Sequence, residues 1–185
     1  MTADPAPPDR PAPPDDPGQP DRPALSGLAV VVTASNRASS GVYADRSGEL
    51  LEGALRELGL DVRRSVLPDD RARLAAAIRE AVDGGAALVL TTGGTGLSPT
   101  DVTPEATAEV IERPAPGIAE AIRAYGAPKV PTAVLSRGLA GVAGRCLIVN
   151  LPGSTGGVRD ALAVLTPLLP HILSQLGGGD HPRPA

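Results

Sequence analysis

Phenylalanine and tryptophan are absent from this 185-residue sequence, and tyrosine occurs only twice. The core must therefore be built from Ala, Val, Leu and Ile. A surface this poor in aromatic rings offers few platforms on which unpaired bases could stack, which argues against single-stranded nucleic-acid binding. Cys146 is the sole cysteine. No intramolecular disulfide is possible, and its place in the apolar run CLIV reads as a packed thiol. With no Cys/His cluster, zinc is not indicated. Lys129 is the only lysine and no Gly-Lys-Ser/Thr occurs, so a P-loop with its phosphate-binding lysine is excluded. No apolar stretch reaches membrane-spanning length. The N-terminus has no apolar signal core, and a cytoplasmic location is the expectation.

Excess charge is scarce as well. The formal net charge is -4. Residues 1–24 hold five Asp and two Arg, which accounts for three of those four charges. The rest is nearly neutral and has no basic footprint for a polyanion. The same 24 residues hold nine of the 21 prolines. Such a segment cannot bury enough apolar surface to offset its ordering entropy. It reads as a disordered, Pro-rich tail or a short proline-motif ligand. A folded domain is expected over 25–177, with a flexible end at 178–185.

Within that domain, apolar runs alternate with helical patterns. LAVVVTA (28–34) and AALVLTT (86–92) are continuous apolar runs, as expected of strands covered on both faces. LDVRRSVL (60–67), TAVLSR (132–137) and RCLIVNLP (145–152) read as further strands. SGELLEGALREL places Leu51, Leu55 and Leu58 on one helical face, and DDRARLAAAIREAVDGG does the same with Leu74, Ile78 and Ala81. Thr103-Pro104-Glu105 reads as a helix start, with Thr as the cap. Another helix is expected from Pro116 to about Gly126, and a last one from Gly156 to Leu176, kinked near Pro167 and Pro170. This order predicts a three-layer α/β/α sandwich around a mostly parallel sheet. Ligands of such sheets sit beyond the carboxyl ends of the strands.

The loops expected there carry the candidate chemistry. Ser35, Asn36 and Arg37 follow the first strand, and Asp69 and Asp70 the second. Gly93, Gly94, Thr95, Gly96 and Asp101 follow the third, and Asn150, Pro152, Gly153, Ser154 and Thr155 surround the end of the last. GGTG is either an anion nest of backbone N–H groups or an ordinary tight turn. Asp101 either holds a metal or makes an Asx-turn, and Asp69 or Asp70 caps the next helix. Arg46 and Arg137 either touch phosphate or are surface residues. A carboxylate pair facing phosphates points to Mg²⁺, which takes hard oxygen ligands and few from protein. His171 reads as a helix-face residue, and His181 lies near the C-terminus. Ser35 has no partner histidine, so a hydrolase triad is not expected.

The stretches ASNRASSGVYADRSG, LPDD, TTGGTGLSPTDVTPEAT, LSRGLAGVAG and LIVNLPGS together resemble the molybdopterin adenylyltransferase family, the Mog/MoaB type related to the gephyrin G domain. The resemblance spans about Leu28 to Leu176. It implies a homotrimer and a reaction in which ATP and molybdopterin give adenylylated molybdopterin and pyrophosphate. It implies that Asp69 and Asp101 are catalytic and hold Mg²⁺ directly or through water. It further implies substrate-binding roles for Ser35, Ser47, Gly93 to Gly96, Thr103, Pro104, Glu105, Ser136, Pro152, Gly153 and Ser154, and a molybdenum-insertase as possible partner. Three positions depart from the family pattern. Asn36 stands where many relatives have Asp, Thr100 where Arg is common, and Thr155 where Pro is frequent. A catalytically silent molybdopterin carrier is the alternative reading.

Overall fold

The computed structural model describes residues 24–178. Nearly all of the expected tail, the last seven residues and His181 lie outside the described residues. The strands are β1 (Leu28–Ala34), β2 (Asp61–Leu67), β3 (Leu88–Thr92), β4 (Arg113–Pro114), β5 (Ala140–Ala143) and β6 (Cys146–Leu151). They form one sheet in the order β2-β1-β3-β6-β5-β4. The first four in that order run parallel, and β5 and β4 add an antiparallel edge. The helices are α1 (Asn36–Ser39), α2 (Arg46–Glu57), α3 (Arg71–Asp83), α4 (Thr103–Ala108), α5 (Pro116–Gly126), α6 (Thr155–Leu165) and α7 (Leu169–Leu176).

Side chains of a strand alternate between the two faces of the sheet, and the apolar runs fill both. On one face Ala29, Val31, Leu88, Leu90, Leu147 and Val149 pack against Leu51 and Leu55 of α2 and Val158, Ala161 and Leu165 of α6. On the other, Val89 and Ile148 meet Ile78 of α3, and Val32 meets Leu74 and Ala75. The layers are thus α2, α5, α6 and α7 over one face and α3 and α4 over the other. Each fully buried leucine contributes about 1.5–3 kcal/mol. Cys146 is part of this packing, and burial pushes its thiol up to about 12, which leaves it inert near neutral pH.

Four sequence expectations change. TAVLSR is not a strand. Pro131 starts a 3-10 turn over Pro131–Leu135 whose Val134 and Leu135 stay exposed. The strand in this region is β5, joined to β6 by a two-residue hairpin at 144–145. The final helix is two helices, because Pro167 ends α6 and Pro170 opens α7. Thr103 does not cap α4. It lies inside the helix, after the capping position of Val102. Asn150 is not a loop residue but a buried residue of β6. Its amide donates to the Thr91 and Thr107 hydroxyls at 2.9 and 2.8 Å and its carbonyl accepts from Leu139 N at 3.0 Å.

A buried carboxylate ties β1, β2 and α2 together. Asp45 caps α2 through the Gly48 amide at 2.9 Å. It also accepts from the Thr33 hydroxyl at 2.7 Å, from Ser47 at 3.2 Å and from Arg64 at 2.8 Å. Burial alone would raise its pKa. The Gly48 amide, Thr33, Arg64 and Ser47 outweigh that effect and hold the carboxyl below its ordinary value of 3.8. A carboxylate whose pKa falls on folding stabilises the fold above its unfolded pKa and loses that contribution as pH drops through the folded one. Asp45→Asn should therefore cost about 2 kcal/mol at pH 7, with the gap to the parent protein closing below about pH 4. Urea unfolding of both proteins at pH 7 and pH 3 measures this, and an equal gap at both would rule out the ionised carboxylate as the cause.

Candidate functional site

The carboxyl ends of the parallel strands meet on one rim. Ser35 N donates to Leu67 O at 2.9 Å, joining the ends of β1 and β2. Gly93 N donates to Leu151 O at 3.2 Å, and the Thr92 hydroxyl to Pro152 O at 2.7 Å, joining β3 to β6. Here the backbones lie too close for side chains. A Cβ on Gly93 would stand 2.3 Å from Ala34 O, and one on Gly153 would stand 3.1 Å from Gly93 Cα. The two turns form a shared ridge.

The hydrogen bonds of the GGTG turn point in one direction. Every carbonyl from Gly93 to Gly96 accepts a protein donor. These are the Thr103 hydroxyl at 2.9 Å, Thr103 N at 3.1 Å, Arg137 N at 2.8 Å and Arg137 Nε at 2.7 Å, in that order. The amides of Gly94, Thr95 and Gly96 donate to nothing among the described residues. Gly93 and Gly94 have φ of +93° and +62°, a left-handed pair that glycine adopts without strain. The Gly153 and Ser154 amides are likewise unengaged among the described residues.

The two predicted aspartates flank this turn. Asp69 Oδ2 accepts from Asn36 N at 3.0 Å while Asn36 Oδ1 accepts from Asp69 N at 3.1 Å. Asp70, not Asp69, caps α3 through Arg73 N at 2.9 Å. Asp69 Oδ1 lies 3.3 Å from where a Gly94 Cβ would stand. Asp101 Oδ2 accepts from Ser98 N at 3.1 Å and lies 2.8 Å from the corresponding point on Gly96. One oxygen of each carboxylate makes no hydrogen bond among the described residues. Three or more His, Cys, Asp or Glu do not cluster anywhere among those residues. Two carboxylates beside a phosphate cradle still suit Mg²⁺, which is held by one or two carboxylates together with substrate phosphates and waters.

Cavities open on both sides of the ridge. One of about 590 Å³ is lined by Ser35, Tyr43, Arg46, Ser47, Gly93 and Gly153 among others. The other, about 520 Å³, is lined by Thr95, Gly96, Ser136, Pro152 and Ser154, with an apolar wall from Ala119, Ile122 and Leu135. Gly94, Asp69, Asp101 and Glu105 line neither cavity. Thr103 and Pro104 are buried, and the Thr103 hydroxyl supports the turn from beneath. Arg46 makes no ion pair among the described residues and faces the first cavity. Arg137 is half-buried, and its guanidinium is bound to the loop around Asp101. His171 lies in α7, outside both cavities.

Sequence reasoning passed over Asp45 and Tyr43 at the first cavity and Arg123, Lys129, Arg159 and Asp160 at the second. The Asp45 signal was available, since an acidic residue three positions before a glycine and an apolar helical pattern reads as an N-cap. The second group could not be found locally. Its members come from α5, the turn after it and α6, and only the fold brings them together.

The described helices include none long and apolar enough to cross a membrane. Residues 30–171 match the family model described as probable molybdopterin binding domain. A molybdopterin adenylyltransferase from Helicobacter pylori (strain J99) is 38% identical over 152 residues, which cover 80% of this chain and 86% of that protein. A molybdenum cofactor biosynthesis bifunctional protein from Synechococcus elongatus is 41% identical over 160 residues, and the chain spans only 50% of its length. The solved structure of the molybdopterin biosynthesis Mog protein from Mycobacterium ulcerans is 48% identical. It superposes with a TM-score of 0.78 over 81% of this chain and 99% of that one. Matches of this extent to the family model and to a whole relative settle the family: the chain belongs to the molybdopterin adenylyltransferase family of molybdenum cofactor biosynthesis.

Proposed function

We propose that the chain transfers the adenylyl group of Mg-ATP to the terminal phosphate of molybdopterin and releases pyrophosphate. The observation that carries this reading is the GGTG turn, whose carbonyls are all engaged and whose next three amides are free to receive anions, between two carboxylates and between two cavities. Each cavity takes one ring-bearing substrate, and the phosphates meet at the ridge. Ser35, Ser47, Gly93 and Gly153 belong to one substrate's surroundings, and Thr95, Gly96, Ser136, Pro152 and Ser154 to the other's.

The chemistry asks little of the protein beyond placement. An oxygen of the pterin's terminal phosphate bonds to the α-phosphorus of ATP. The bond from that phosphorus to the β-bridging oxygen breaks, and pyrophosphate leaves with the electron pair. A phosphate monoester is already largely dianionic at neutral pH, its second pKa being about 6, so no strong general base is needed. The obstacle is repulsion between anions. The unengaged amides of Gly94, Thr95 and Gly96 oppose it with fixed dipoles that need no reorganisation. Asp69 and Asp101 hold Mg²⁺, which when bound neutralises charge on the leaving group. The Asn36–Asp69 pair fixes one carboxylate, and the Ser98 amide fixes the other. A homotrimer, a cytoplasmic location and a molybdenum-insertase partner complete the proposal. The bifunctional relative, of which this chain matches half, supports a second domain or partner with a linked role.

Asp101→Ala should lower the rate of adenylylated molybdopterin formation by at least about 100-fold while molybdopterin still binds. Turnover near that of the parent protein would remove the metal-holding role. Asp69→Asn should act in the same direction but less strongly, because Asn keeps the bond to Asn36 N. Product is measured from purified protein, Mg-ATP and molybdopterin, and tight pterin binding without product would mark a carrier instead. Gly94→Ala should cost about 1–2 kcal/mol from its left-handed backbone alone. The new methyl would also stand 2.4 Å from the Thr103 hydroxyl. Thermal unfolding and the product assay should both register it, and an unaffected variant would contradict the packing of the turn.

A further inference from the structure

The loop from Gly96 to Asp101 is anchored by a single side chain from a distant part of the chain. Arg137 follows the 3-10 turn and enters the site just before β5. Its backbone N–H donates to Thr95 O at 2.8 Å and its Nε to Gly96 O at 2.7 Å. One terminal nitrogen donates to Asp101 O at 2.6 Å, and the other forms an ion pair with Glu105. The guanidinium therefore bridges the two ends of the loop and the first turn of α4. The arginine beside it holds the Glu105 carboxyl below its ordinary value. The second oxygen of Glu105 is buried without a hydrogen bond. Glu105 is thus paired with Arg137 through one oxygen, although its side chain stays partly exposed.

We infer that Arg137 is a positioning residue for adenylyl transfer: it fixes the loop that carries the Asp101 carboxylate beside Gly96 and does not itself bind phosphate. This inference rests on the function proposed above. Its charge is already matched by Glu105, and two further donor directions are taken by the loop carbonyls of Gly96 and Asp101. A phosphate-binding arginine would present its fork to the ligand. The planar donors of arginine suit this task because Nε and the two terminal nitrogens reach separate acceptors, whereas the three donors of lysine leave from one nitrogen on a flexible stem and cannot span them. The loop needs such a clamp because its own bonds are few. They are Asp101 N to Ser98 O at 2.9 Å, Ser98 N to Asp101 Oδ2 at 3.1 Å, Thr100 N to Ser98 Oγ at 3.3 Å and the Ser98–Thr100 hydroxyl contact, all within four residues. Thr100 adds no charge of its own to hold it.

The test compares Arg137→Lys with the parent full-length protein. In steady-state transfer from Mg-ATP to molybdopterin, kcat should fall by about 10- to 100-fold, as for a small misplacement of a reacting group. KM for ATP and for molybdopterin should stay unchanged, and more Mg²⁺ should be needed for half-maximal rate. Amide hydrogen exchange of peptides covering residues 97–103, measured without substrate or metal, should quicken while β3 and β6 keep their protection. Unchanged exchange in that segment would overturn the inference, and so would a loss confined to KM for ATP, which would mark direct phosphate contact. If the parent protein forms no adenylylated product, the proposed function fails, and the exchange measurement alone decides whether Arg137 clamps the loop. Arg137→Ala should show the same pattern more strongly; if it does not fold, the lysine variant carries the test.

Discussion

The site rests on the contact between Gly93 and Gly153. Two strands that are neighbours in the sheet end together, and the turns that leave them touch through backbone alone. Any side chain at Gly93 would strike Ala34 O, so the end of β1 is held at the same place. This close approach makes a thin ridge out of three strand ends. It puts the two cavities on either side of the same turns, Gly93 and Gly153 lining one and Pro152 and Ser154 the other. A reaction that joins two substrates needs their reacting ends within contact distance, and a ridge of glycine is the narrowest partition a protein can build.

Around that ridge the polar groups divide into those that build and those that face outward. Asn150, Thr91 and Thr107 satisfy one another beside the second cavity, which Asn150 helps to line. Asp45 gathers four donors under the first cavity and fixes the start of α2. Arg137 and Thr103 take every carbonyl of the glycine turn. Buried polar groups left unpaired are costly, so this satisfaction is what allows the turn to keep its shape. Its consequence is directional. With the oxygens engaged from behind, the amides are the groups that remain for a ligand.

The parts of this arrangement that were legible in the sequence are those carried by local pattern. Continuous β-branched runs gave β1, β3 and β6, and helical spacing gave α2, α3 and α5 within a few residues. The placement of the GGTG string and the two aspartates at strand ends was visible because they directly follow apolar runs, although a tight turn, an Asx-turn or a helix cap would use the same residue types. The misreadings have a common cause. TAVLSR has the composition of a strand, but Pro131 starts a 3-10 turn there and the strand beside β6 is β5. Thr103 has the sequence context of a cap, yet a carbonyl of the turn offered its hydroxyl a better partner. Asn150 looked like a loop residue because an amide inside an apolar strand is unexpected, and only the two threonines facing it explain its burial. Arg137 and Glu105 are 32 residues apart, and no local rule joins them.

The electrostatics of recognition follow from the same division. A net charge of -4, of which the first 24 residues supply three, leaves the body without a general attraction for anions. Arg137 is neutralised by Glu105, Arg64 by Asp45 and Glu52, and Lys129 by Asp160. Much of the positive charge around the site is thus spent on holding the protein together. Arg46 stands apart, with no ion pair among the described residues and facing the first cavity; the other attraction open to an anion comes from short-range dipoles, the unengaged amides of the two turns. Such forces fall off within a few ångströms. They select for the position of an anion and not merely for its charge, and a fixed position for each phosphate is what the proposed transfer requires.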